Sequence, residues 1–115
     1  MDEWLRERIL LAASLIPPGR VASYGDLGRL AGAGPRQVAA VVSRHGSEVP
    51  WWRVTNAAGE FPAEVLRAAL PAWAGEGIAL KPNGRGCRMA THRADPARLR
   101  ADFDAATAPD PATGT

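Results

Sequence analysis

The chain has 115 residues, 46% of them hydrophobic, and a formal net charge of +2, enough for one domain with an ordinary core and too little for two. No apolar run approaches the ~20 residues that span a membrane, and the acidic start at Asp2 and Glu3 is unlike a signal peptide, so a soluble, cytoplasmic protein is expected. A single cysteine, Cys87, precludes an internal disulfide, and with His45 and His92 it offers no metal-ligand spacing, so neither a metal nor a cofactor is implied.

Leu5, Ile9, Ala12 and Ile16 recur at helical spacing and predict an amphipathic helix over 3–16, closed by Pro17-Pro18-Gly19. Ser23 and Asp26 have the spacing of a capping box, predicting a helix over 24–31 with Leu27, Leu30 and Ala31 inward. Gly32-Ala33-Gly34 makes a tight turn. Pro35 suits the first position of a helix running to residue 44, with Val38, Val41 and Val42 as its apolar side. Two short helices joined by a glycine-containing turn read as a helix-turn-helix, the second being the recognition helix.

Val65, Leu66, Ala69, Leu70 and Trp73 predict a further helix over 63–74, which Pro71 is expected to kink or split. Asn83-Gly84 between the apolar segments 78–80 and 87–89 reads as a β-hairpin, the wing of a winged helix. A last short helix is expected from residue 94 through Arg98 and Leu99. The fold class is therefore mainly α, a winged helix-turn-helix with a small β-hairpin wing. The domain spans 1–104, and the Ala/Pro/Thr/Asp tail from 105 to 115 is expected to be disordered.

Basic residues cluster locally. Residues 9–47 hold Arg20, Arg29, Arg36 and Arg44 against Asp26 alone, and residues 77–94 hold Lys81, Arg85, Arg88 and Arg93 without an acid. Such segments suit an anionic partner such as DNA, although ordinary solvated surface has the same composition.

Four motifs stand in order along residues 3–91. They are Ile16-Pro17-Pro18-Gly19-Arg20-Val21-Ala22-Ser23-Tyr24-Gly25-Asp26-Leu27, Arg36-Gln37-Val38, the segment Val49-Pro50-Trp51-Trp52-Arg53-Val54 with Asn56 and Gly59, and Glu76-Gly77-Ile78. Together they resemble the DNA-binding domain of the O6-alkylguanine-DNA alkyltransferases. Those enzymes carry Pro-Cys-His-Arg-Val where this chain has Pro50 to Val54. The nucleophilic Cys falls at Trp51 and the His that helps ionise it at Trp52. The closest subgroup is the alkyltransferase-like proteins, which have Trp in place of the Cys, although most keep the His.

The resemblance implies a non-enzymatic protein that binds O6-alkylguanine in double-stranded DNA. It would flip the lesion out of the duplex and pass it to nucleotide excision repair damage-recognition proteins. A monomer associated with the nucleoid is expected, with its recognition helix in the minor groove, where base identity is poorly read. The lesion pocket falls to Trp51, Tyr24, Arg53 and Trp52. Arg36 matches the arginine finger that fills the gap left by the flipped base, and Ser23, Gln37 and Arg44 match contacts to the DNA backbone.

Each of these residues has a plainer alternative. Trp51 is otherwise a core tryptophan, Tyr24 a packing anchor, and Trp52 faces either DNA or the interior. The turn from Gly32 to Arg36 is two residues shorter than in the family, and an alignment on Pro35 moves the finger position to Ala39. Glu76 matches the acid that orients the absent His, which leaves it a structural acceptor. The region between Glu60 and Glu64 lacks the base that grades lesions in some relatives. Cys87 reads as a small half-buried strand residue, with Arg85 and Arg88 placed to lower its pKa. A winged-helix transcription regulator on undamaged DNA is the alternative function, and an enzyme acting through Cys87 comes third.

Overall fold

The computed structural model describes residues 2–109, and nothing further concerns the segment 110–115, where most of the expected tail falls. Asp2 caps helix α1 (Glu3–Ser14) by accepting from the Trp4 N–H, and Ile9, Ala12 and Ala13 form its buried stripe. After the Pro17-Pro18-Gly19 turn, strand β1 (Ala22–Ser23) leads directly into α2 (Tyr24–Ala31). The Ser23 capping box is complete: Ser23 Oγ accepts from Asp26 N and Asp26 Oδ2 accepts from Ser23 N, both at 3.0 Å. Helix α2 ends at Gly32 in the left-handed conformation, φ +82°. Its last carbonyls, on Leu30 and Ala31, accept from Arg8 of α1.

Helix α3 (Pro35–His45) starts on Pro35 as expected, and Gln37 Oε1 accepts from the Gly34 N–H at 2.9 Å. A 3-10 turn at Gly46–Glu48 and another at Trp51–Arg53 lead into β2 (Val54–Thr55). Helices α4 (Ala63–Glu76), α5 (Met89–His92) and α6 (Pro96–Thr107) complete the fold. It is mainly helical, a winged helix-turn-helix with a small β element. No helix among the described residues is long and apolar enough to cross a membrane.

The interior has two parts. One gathers α1, α2, α3 and α6 around Ile9, Leu27, Val38 and Phe103. The other lies around Val21, Ala69, Trp73, Ile78 and Cys87. Trp51 packs against both and therefore stands at their seam.

Four expectations change in three dimensions. Helix α1 stops at Ser14, two residues early. Helix α4 runs through Pro71 without a break. Pro71 and Arg67 are both exposed, so water can satisfy the Arg67 carbonyl that the missing N–H leaves free.

The hairpin segments 78–80 and 87–89 are not strands. Leu80 and Cys87 meet in a single bridge, while Cys87 N donates instead to Gly59 O. Cys87 is divided between two neighbours, and Met89 already begins α5. The two-stranded sheet is parallel and joins β1 to β2 in the register Ala22–Val54 and Ser23–Thr55. Finally, α6 continues to Thr107, so residues 105–107 are helical. Asp95 caps it, and Leu99 and Phe103 bury one face.

Candidate nucleic-acid interface

The Trp51–Arg53 turn is held from behind by one carboxylate. Glu76, at the end of α4, accepts from Arg53 Nε at 3.0 Å and Nη2 at 2.8 Å, from Trp52 Nε1 at 2.8 Å, and from the Gly19 N–H at 2.8 Å. Arg53 Nη1 reaches on to the Ile16 carbonyl at 2.9 Å. These charge-assisted bonds join three segments distant in sequence: the turn after α1, the tryptophan turn and the end of α4. The Arg53 guanidinium holds the Glu76 carboxyl down at about 2, against the opposing effect of burial and with help from Gly19 and Trp52. Trp73 adds a fourth tie, donating its indole N–H to the Trp52 carbonyl at 2.7 Å.

With its neighbours fixed, Trp51 presents its ring forward. It stands edge-on to Trp52 (centroids 5.9 Å apart, 85°) and tilted against Phe61 (6.0 Å, 59°), which stacks in turn on Trp73 (5.7 Å, 25°). In front of Trp51 opens a cleft of about 520 Å³. Tyr24 at the start of α2, Ala39, Val42 and Ser43 of α3, and Phe61, Pro62, Glu64, Val65 and Ala68 around the start of α4 complete its lining with Val54. The volume is within the range of cavities that hold small organic ligands, about 300–1,000 Å³.

The sequence-predicted residues divide into three groups. Trp51 and Tyr24 both line the cleft, and Tyr24 is half-buried there, which pushes its hydroxyl pKa up. Trp52 and Arg53 do not line it, which corrects their placement in the pocket. Their polar atoms are engaged by Glu76 behind it, with Arg53 5.5 Å over the Trp52 ring. Arg36 and Arg44 are exposed on α3, and neither makes a hydrogen bond or ion pair among the described residues. Arg36, Ala39 and Ser43 share one helix face, so Arg36 stands at the end of the face that lines the cleft.

Ser23 departs from the expected backbone contacts, because it is buried and its hydroxyl caps α2. Gln37 caps α3 through its Oε1 alone and is exposed, so its amide N–H groups stay open to a phosphate.

The short turn before α3 also has a structural explanation. Gly28 O accepts from both Gly32 N (2.8 Å) and Ala33 N (2.9 Å), and a Cβ at Gly28 would lie 2.3 Å from the Ala33 oxygen. The glycine lets the shortened turn fold back on α2.

The second basic segment is largely structural. Lys81 pairs with Glu60, and Arg93 pairs with the buried Asp26, which also binds Arg29. Burial raises the Asp26 pKa, but Arg93 and the Ser23 N–H outweigh it and hold the carboxyl below its ordinary value. Arg88 donates to the Leu80 carbonyl. Cys87 is fully buried, and burial pushes its thiol up rather than down, against the expectation from Arg85 and Arg88.

The α4 side of the cleft joins Glu64, at the end of the region where some relatives carry a base, to Val65 and Ala68, which were not anticipated as part of the site. Val65 is exposed, not core. Spacing gave no signal for it, because Val65 lies four residues before Ala69 on the stripe that α4 buries further along at Ala69 and Trp73.

A cleft walled by an aromatic ring, beside an arginine-bearing helix of a helix-turn-helix, is the arrangement that the sequence motifs imply. Residues 4–74 match the family model of the 6-O-methylguanine DNA methyltransferase DNA-binding domain. The chain belongs to this family. It is alkyltransferase-like, with Trp51 where the enzymes carry Cys. This alkyltransferase-like domain is 34% identical over 85 residues to the DNA base-flipping proteins of Escherichia coli (strain K12) and Shigella flexneri. The match covers 69% of this chain and 66% of those relatives. Its fold resembles that of S. pombe Atl1, crystallised in complex with damaged DNA containing O6-carboxymethylguanine. The TM-score is 0.71 at 21% identity, covering 83% of this chain and 98% of that one.

Proposed function

We propose that this protein binds O6-alkylguanine lesions in duplex DNA by flipping the damaged nucleotide into the cleft in front of Trp51, without transferring the alkyl group. The observation that carries the reading is the cleft itself. Its lining is mostly apolar, with an indole face at the family's reactive position and neither a thiol nor an imidazole in it. Tyr24 and Arg36 flank it from α2 and α3.

Placement supports a role for each residue. α3 enters the minor groove, with Arg44 on a phosphate. Tyr24, at the inner edge of the cleft, crowds the lesion's phosphate and favours rotation of the nucleotide outward. Arg36 fills the vacated stack, offsetting part of an unstacking cost of a few kcal/mol. Ala39, the alternative finger position, lines the cleft and lacks the reach. The flipped base and its alkyl group meet Trp51, Phe61 and Val65.

Alkyl transfer needs a thiolate beside a base. Trp51 and Trp52 supply neither, and Cys87 is buried among Val21, Ala69 and Trp73. The bound monomer then marks the lesion for nucleotide excision repair proteins in the nucleoid. Titration of matched duplexes, one with guanine and one with O6-methylguanine, tests the reading. Tighter binding to the lesion, with no labelled methyl appearing on the protein, is expected. Equal affinity for the two duplexes overturns it.

A further inference from the structure

The flank of α3 that faces away from the cleft borders a second, smaller hollow. Ala39 and Ser43 line the cleft, while Ala40 and Arg44, on the next row of the helix surface, line the hollow. Val41, His45 and Arg6 of α1 complete it, around a volume of about 140 Å³. Arg36 heads the row of Ala40 and Arg44 at four-residue steps, so one helix surface joins the two depressions. Three basic side chains from two helices therefore converge on an apolar floor, and no acid lines it. Glu3 approaches Arg6 at 3.8 Å but is itself largely exposed, and such a pair contributes little. Neither Arg44 nor His45 makes a side-chain hydrogen bond or ion pair among the described residues. The end of α3 carries roughly half a negative charge, too little to balance two guanidinium groups.

We infer that this hollow is a phosphate site for the undamaged strand, formed by Arg6, Arg44 and His45. The inference rests on the lesion-binding reading above and adds α1, and the opposite strand, to the interface. A helix laid in the minor groove has one sugar-phosphate backbone along each flank. The damaged nucleotide leaves the duplex on the cleft flank, so the backbone on the other flank belongs to its partner strand. There the hollow offers a guanidinium fork from each helix and an imidazole N–H, donors that match phosphate oxygens. Its volume lies below the roughly 300 Å³ at which organic-ligand cavities begin, and it suits a phosphate group rather than a base. The two flanks of α3 then act together. The hollow holds one backbone in place while the nucleotide of the other strand rotates into the cleft.

The experiment titrates the full chain and its Arg6→Gln, His45→Gln and Arg98→Gln variants with matched guanine and O6-methylguanine duplexes. Uncharged methylphosphonate linkages replace single phosphates, one position at a time, on either strand. In the unmodified chain one or two positions on the undamaged strand should each cost about tenfold in affinity. Arg6→Gln should bind the fully charged duplexes about tenfold more weakly and lower the salt dependence by about one counterion. The same methylphosphonates should then cost it nothing further, and their effect should shrink in His45→Gln. Arg98→Gln removes a charge from α6, outside the hollow, and should keep the full methylphosphonate effect. Unchanged binding by Arg6→Gln, or coupling of Arg6 only to phosphates of the lesion strand, overturns the inference. An equal loss of coupling in Arg98→Gln also overturns it, by reducing the effect to net charge. The coupling is read on both duplexes, so it stays separate from the lesion reading, which fails instead if the guanine and O6-methylguanine duplexes bind equally.

Discussion

The indole N–H of Trp52 donates to Oε2 of Glu76 over 2.8 Å. Family resemblance places a proton-handling imidazole at this position and its orienting acid at Glu76. An indole N–H donates and cannot accept, so the acid is kept while the proton relay is lost. Glu76 has become a mechanical anchor for the turn that positions Trp51.

Replacing Trp52 by Phe removes one charge-assisted bond from Glu76 and leaves the Arg53 and Gly19 bonds in place. Hydrogen bonds to charged groups contribute about 1.5–3 kcal/mol, and a loss in that range is expected from urea unfolding. Lesion affinity should fall as well, because the turn that presents Trp51 loosens. Unchanged stability would show that the bond contributes nothing to the anchor.

Stability should fall in acid. The Glu76 pKa is about 2 in the fold against an ordinary 4.5, so the unfolded chain binds the proton first as pH drops. The contribution is complete above about pH 4.5 and is lost as pH falls through about 2. Asp26, held below its ordinary value, contributes with the same sign. Glu76→Gln should cost on the order of 1–2 kcal/mol at neutral pH, allowing for solvent at the carboxylate. It should also flatten the acid side of a stability profile measured by urea midpoints. A parallel profile in the variant would assign the acid sensitivity elsewhere.

Arg36→Ala and Arg44→Ala should separate lesion recognition from general DNA binding. Losing Arg36 leaves the duplex gap unfilled, and lesion affinity should fall about tenfold with little change for undamaged DNA. Losing Arg44 should weaken both duplexes alike and lower the salt dependence by about one counterion. Tyr24→Ala should behave like Arg36→Ala. Fluorescence anisotropy across a salt series reads all three.

Gly28→Ala reverses a general rule. In an ordinary helix interior the change stabilises by roughly 0.5–1 kcal/mol. Here the added Cβ meets the Ala33 carbonyl at 2.3 Å, and that backbone cannot move without opening the short turn before α3. A loss of about 1–3 kcal/mol is expected from thermal unfolding, with a matching fall in DNA affinity as α3 shifts. A more stable variant would mean that the turn does not depend on the glycine.

Much of the helix-turn-helix was legible locally. The Ser23–Asp26 capping box, Pro35 at the start of α3 and the glycine stop after α2 depend on residues within one turn of each other, so spacing alone specifies them. The hairpin was misread for the opposite reason. Asn83-Gly84 does make a tight turn, but whether its flanks become strands depends on partners elsewhere, and Cys87 bonds to Gly59 across the fold.

The sequence by itself determined the family, the helical framework and the loss of nucleophile and base at Trp51 and Trp52. These are matters of residue identity and short-range spacing. Only the tertiary structure decided which tryptophan faces the cleft, because the choice is made by Glu76, 24 residues from Trp52 and 57 from Gly19. It also turned Ser23 inward as a cap, raised rather than lowered the Cys87 pKa, and brought Glu64 into the lining. Side-chain direction, desolvation and charge pairing depend on what packing brings near, and spacing along the chain does not encode that.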